Sequence, residues 1–425
     1  MNNFNNNTGV PNYGNPSQPT YNNQDNQGFT PNCGYGIPLN QRANQQVNYN
    51  YRNLAMAPPV PNPVDNHAYN QQSNNNQFNN SNTLNVMPNI SGYNLEKIKQ
   101  DMKIAQEKES IKKVANRSAG GLLIFSLISE GLAIILIMII MFTGAYNLDN
   151  SDYISGIEPV TMYILNSLMC LVGFGLSGLI ITKFNKLRLD DVLSIKKVNV
   201  ADTVKFTIAS MGFVYVFNLL LSFMNMNLSL FGFENEASDF GTVTGLWGNA
   251  IYFISVAMVP PIIEEFVFRG AILGSIRPKH GDALAIIISA VLFGFMHGNF
   301  IQTPVTFLTG LVLGYLTVKT NSIIPAIILH FVNNAWAVVY DILSNATSED
   351  TMLLAESGVA LVLIGVGLIC AVSLIKKYKN DLFTFEKPES EFTMSQKLRY
   401  SFTTPCMILF TISTIATCIL TATTA

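Results

Sequence analysis

Residues 260–270 read Pro-Pro-Ile-Ile-Glu-Glu-Phe-Val-Phe-Arg-Gly, and they set Glu264, Glu265 and Arg269 inside a run that carries no other charge from 247 to 276. A run of that length can cross a bilayer, where an ionisable group costs several kcal/mol unless it is paired or put to use. On a helix, Glu265 and Arg269 stand four residues apart on one face and can form an ion pair. Glu264 points about 100° away from Glu265 and has no partner on its own helix. Pro260 and Pro261 remove backbone donors just before it and favour a kink, as in spans that border polar cavities.

Only 12% of the 425 residues are charged and 49% are hydrophobic, an average that hides two unlike parts. Residues 1–92 are rich in Asn, Gln, Pro, Tyr and Gly and lack the apolar content to repay ordering entropy. They are expected to form a disordered, low-complexity cytoplasmic tail, without the basic and apolar regions of a signal peptide. Residues 93–117 are charged and helical in pattern, as in a juxtamembrane helix.

Nine apolar spans follow, at 118–142, 160–182, 206–226, 247–276, 283–298, 303–318, 321–342, 356–375 and 404–423, the fifth and sixth somewhat short. The expected fold is an all-α polytopic membrane protein of about 8–9 transmembrane helices. Three N-terminal helices occupy 118–226, the motif-bearing core 245–342, and the C-terminal helices 343–425. Five cysteines, scattered singly, match no metal or redox spacing and read as small hydrophobes.

The loop charges define an orientation. Lysines and arginines gather before the first span, between the second and third, and after the fourth, sixth and eighth. The intervening loops carry acidic residues such as Asp149, Glu234 and Glu349, with no Lys or Arg. By the positive-inside rule the N-terminus is cytoplasmic.

Of the four histidines, His67 falls in the tail and His280 in a cytoplasmic turn, leaving His297 and His330 within spans. Asn334 lies one helical turn beyond His330, on the same face. Counted from the cytoplasmic ends of their spans, Glu264 lies about 18 Å deep, His297 about 21 Å, and His330 and Asn334 about 14 and 20 Å. Three spans thus bring isolated polar residues to one level. A lone intramembrane His or Asn is more often an interhelical packing bond. A carboxylate, two imidazoles and an amide at matched depth form a hydrolytic set instead: one imidazole assists a carboxylate base, and the other joins the amide in stabilising an oxyanion. Phe293, four residues before His297, reads as a packing partner. Gly310 and Gly314 have the G-x-x-x-G spacing of close helix contacts.

E-E-F-V-F-R (Glu264, Glu265, Arg269) fits an E-E-x-x-x-R motif, F-G-F-M-H (Phe293, His297) fits F-x-x-x-H, and H-F-V-N-N (His330, Asn334) fits H-x-x-x-N. Together the ordered trio resembles the CPBP intramembrane proteases, the CAAX-protease and bacteriocin-processing (Abi) family. The resemblance covers 245–342 and departs from none of the three motifs.

It implies an integral protein of a bacterial plasma membrane in which Glu264 and His297 activate water, while His330 and Asn334 hold the oxyanion. Glu265, Arg269 and Phe293 are then structural supports. The implied substrates are membrane-embedded or lipidated peptides and protein C-termini, met in the lipid bilayer, with no nucleic acid among the partners. The family also contains non-catalytic immunity and scaffold proteins that use the same cavity. No cofactor is certain. A divalent metal such as Zn²⁺ would take His297, His330 and Glu264 as ligands, although there is no H-E-x-x-H. A metal-free glutamate mechanism accounts for the same residues.

Overall fold

The computed structural model describes residues 95–143, 157–193, 199–229 and 240–423. The tail at 1–92, with Cys33 and His67, lies outside the described residues, as do the connections at 144–156 and 230–239. Among the described residues every regular element is a helix. These are α1 (Leu95–Thr143), α2 (Pro159–Asn185), α3 (Leu189–Leu193), α4 (Val200–Ser229), α5 (Gly245–His280), α6 (Asp282–Met296), α7 (Gln302–Thr320), α8 (Ile324–Ser344), α9 (Glu349–Tyr378), α10 (Met394–Phe402) and α11 (Pro405–Thr423).

Six of them, α1, α2, α4, α5, α8 and α9, are long and apolar enough to cross a membrane. A seventh candidate is α10 with α11, a pair bent by 75°. The two short spans behave differently from the rest. Helix α6 has only 15 residues. Helix α7 has 19, with threonines spread along it. Such helices suit the interior of a bundle, where protein replaces lipid as the neighbour. They pack on each other as a hairpin through the G-x-x-x-G motif. A Cβ added at Gly310 would lie 3.0 Å from Ala290 Cα, and one at Gly314 would lie 3.2 Å from Ile286.

Residues 95–117 and the first span do not form two helices. No proline interrupts 95–143, and α1 runs unbroken through all 49 residues. Its charged half is braced at one end of the bundle. Glu107 accepts from Ser390 Oγ and the Glu391 amide, and Lys108 sits over the Tyr400 ring. The segment after α9 also lies across that end, where Lys319 donates to the carbonyls of Asp381 and Thr384 and Asp282 accepts from the Glu386 amide.

Helix α5 runs through the middle of the core and is not uniformly α-helical. Two wider π-helical stretches, Ile254–Met258 and Phe266–Leu273, flank the α-helical turn Val259–Glu265. The prolines leave an acceptor without a helical donor in the first. In an α-helix the carbonyl of Val256 would accept from residue 260, and in a π-helix from residue 261. Both are prolines and have no N–H to give. Within the second stretch the carbonyl of Phe268 accepts from Ser289 Oγ at 2.8 Å. Around α5, Phe268, Ile272, Leu292 and Leu313 are fully buried.

Candidate active site

The site begins with a buried ion pair. Arg269 Nη1 donates to Glu265 Oε1 at 2.8 Å, and both side chains are fully excluded from solvent. Arg269 Nη2 reaches the Gly310 carbonyl of α7 at 3.3 Å. Its guanidinium also stacks 4.4 Å from the centre of the Phe293 ring. Breaking one partner of such a buried pair costs about 3–5 kcal/mol, so the arrangement is rigid.

Glu265 does more than neutralise Arg269. Its Oε1 also receives His330 Nδ1 at 3.0 Å. A carboxylate oxygen only accepts here, so Nδ1 carries the proton and the ring is locked in one tautomer. The opposite nitrogen, Nε2, then faces Glu264 Oε2 across 3.9 Å. That gap is too wide for a direct hydrogen bond and is one a water molecule can bridge. No protein group among the described residues pairs with the buried Glu264 Oε2.

His297 caps the C-terminus of α6, and its Nδ1 lies 2.9 Å from the Phe293 carbonyl one turn back. By the same logic its Nε2 is the unprotonated nitrogen. Phe293 joins the two histidines, edge-on to His297 at 5.0 Å and to His330 at 5.7 Å. It is therefore a spacer for both rings as well as a packing residue. Asn334 donates Nδ2 to the Val256 carbonyl at 3.2 Å. The backbone acceptor freed by Pro260 and Pro261 is thus satisfied by the last residue of the third motif.

Glu264, His297, His330 and Asn334 all line one cavity of about 460 Å³. The imidazole within ion-pair reach of Glu264 is His330. Phe293 lines the cavity with them, and Glu265 and Arg269 sit behind. Other polar residues of the same wall were not apparent from the motifs: Asn218, Gln302, Thr306, Asn333 and Glu356. Asn333 was within reach as half of the Asn-Asn pair in an apolar helix. Asn218 is one of three asparagines in a distant helix, and nothing in the pattern of that helix marks it.

Residues 246–336 match the family model for Rce1-like type II CAAX prenyl endopeptidases. This segment belongs to the CAAX-protease (CPBP) family. The CPBP segment is also similar to two bacterial membrane proteins. One is the membrane-embedded CAAX protease MroQ of Staphylococcus aureus strain USA300, 30% identical over 100 residues, or 22% of this chain and 40% of that protein. The other is the putative membrane peptidase YdiL of Bacillus subtilis strain 168, 29% identical over 89 residues, or 21% of this chain and 36% of that protein. The chain thus spans less than half the length of either relative. No solved structure matches it. The CPBP match stops short of α1–α4 and α9–α11, yet the cavity draws Asn218 from α4 and Glu356 from α9.

A zinc site would need three donors converging on one point. Among the described residues no three His, Cys, Asp or Glu side chains do so. Glu264 and His330 face one another, and His297 lines the same cavity with its Nδ1 held by the Phe293 carbonyl. The donor set as arranged does not fit a metal cage.

Proposed function

We propose that this protein is an intramembrane endopeptidase in which Glu264 acts as general base on a water molecule and no metal takes part. The reading rests on one observation above all: Glu264 Oε2, buried and without a protein partner, faces His330 Nε2 across 3.9 Å in a polar cavity. Both atoms are acceptors in this arrangement, so a water between them would give each an O–H and turn its lone pairs outward. Attack on a peptide carbonyl carbon would pass one water proton to Glu264, which returns it to the leaving amine as the C–N bond breaks.

The oxyanion requires donors. Asn334 has a second amide N–H beyond the one given to Val256, and His330 would add Nε2–H while it holds the water's proton on loan from Glu264 across the 3.9 Å gap. Glu265 would steady that imidazolium as the third member of a triad does. His297, on the cavity wall, supplies a further base for the proton on its way to the leaving group. Membrane-associated peptides or protein C-termini are the substrate class, and the cavity lies within the apolar helices that such chains would reach.

Reconstituted protein tests this with an internally quenched peptide ending in a farnesylated CAAX tetrapeptide, beside a quenched apolar reporter peptide. Cleavage of either that is lost in Glu264→Gln supports the reading. Intact peptides with correctly folded wild-type protein would favour a binding or immunity role for the same cavity.

A further inference from the structure

Three asparagine amides run in series along the cavity wall, and the first comes from outside the matched family segment. Asn218 of α4 donates Nδ2 to Asn333 Oδ1 at 2.8 Å. Asn333 donates its own Nδ2 to Asn334 Oδ1 at 3.3 Å. Asn334 closes the series on the Val256 carbonyl at 3.2 Å.

An amide side chain has nearly the same shape either way round, so each asparagine alone could present its oxygen or its nitrogen to a neighbour. The far end of the series removes that freedom. The Val256 carbonyl can only accept, and Pro260 and Pro261 leave it without a helical donor. Asn334 must therefore turn its NH₂ to Val256 and its oxygen to Asn333. Asn333 must in turn present NH₂ to Asn334 and oxygen to Asn218, which has to donate. One missing backbone proton in α5 thus sets the direction of three side chains on α8 and α4.

We infer that Asn218 and Asn333 are positioning residues for Asn334. They hold its amide in the orientation that keeps an N–H, rather than the oxygen, available to the developing oxyanion. The kinetic consequence rests on the endopeptidase reading above; the network itself does not. Removing Asn218 leaves Asn333 Oδ1 without its donor and loosens the pair, with Val256 alone left to orient Asn334. Replacing Asn333 by Asp keeps the acceptor for Asn218 but places a carboxylate against Asn334 Oδ1, which drives the Asn334 amide to flip.

The test is a double-mutant cycle in full-length reconstituted protein, with Asn218→Ala, Asn334→Ala and the double variant, read on the quenched CAAX peptide. Asn218→Ala is expected to lower kcat about 5-fold with KM within about twofold, because the contact matters only as charge develops on the oxyanion. In the Asn334→Ala background the same substitution should cost no further rate. Asn218→Gln, which keeps a donor, should recover part of the loss, and Asn333→Asp should cost more than Asn218→Ala.

Equal fold losses in both backgrounds would overturn the proposal. The cycle is also read as melting temperature, which needs no turnover. The shift from Asn218→Ala should shrink once Asn334 is alanine, and additive shifts would dismiss the network. A wild-type protein without turnover would defeat the endopeptidase reading alone, with the melting cycle still deciding whether the amides are coupled.

Discussion

His330 Nδ1 and Glu265 Oε1 lie 3.0 Å apart, and the oxygen that receives His330 also receives Arg269. One buried carboxylate oxygen therefore ties α8 to α5 and holds a cavity imidazole in a single tautomer. The neighbouring carboxylate of Glu264 is left facing the other side of the same ring. Adjacent glutamates have divided two tasks, because on a helix they point about 100° apart.

Glu265→Gln is expected to destabilise the protein by about 3–5 kcal/mol, since Arg269 would stay buried without its counter-charge. Thermal unfolding in detergent reads this directly. A melting temperature equal to wild type would show that Arg269 finds another partner.

Glu264→Gln should leave folding unchanged and remove turnover. The amide keeps the size of the side chain but cannot take the proton of a water, and general-base contributions run to about 10²–10⁴-fold in rate. The comparison is kcat against melting temperature in one preparation. Turnover near wild type would place the base elsewhere.

Gly310→Val tests the α6–α7 hairpin. Its Cβ would meet backbone at 3.0 Å, and the shift would also withdraw the carbonyl that accepts from Arg269. Overpacking of this kind costs about 1–3 kcal/mol. Gly365→Val on α9, where a Cβ meets nothing within 4 Å, should be neutral by comparison. Equal melting temperatures for the two variants would contradict the close approach.

Chelator treatment separates the two forms of hydrolysis. With a Glu264-bound water as the nucleophile, activity is expected to survive prolonged dialysis against a strong chelator. Stoichiometric zinc that leaves together with activity, and restores it on return, would reverse that expectation.

Orientation is open to labelling. In a variant with the native cysteines replaced, a cysteine at Asn345 should react with an impermeant thiol reagent added outside, and one at Lys387 should not. Both positions are exposed. The opposite pattern would invert the topology drawn from the loop lysines.

The helical, membrane-spanning character of the chain was legible in residue order alone. Apolar runs of bilayer length admit only helices that satisfy their own backbone, and the three motifs stand out because charges inside such runs are costly. The i, i+4 pairing of Glu265 with Arg269 is likewise a property of one helix, so its spacing suffices to predict it. Tertiary structure was needed for everything that crosses between helices. The local pattern cannot say that α6 and α7 are interior helices, nor that His330, and not a residue of α5, completes the surroundings of Glu265. It could not connect Pro260 and Pro261 to Asn334, or reach back to Asn218 in a span with no motif of its own. Those links depend on which unsatisfied donor and acceptor are brought within 3 Å or so of each other. Only packing sets that distance, because the residues concerned lie 78 and 115 positions apart along the chain.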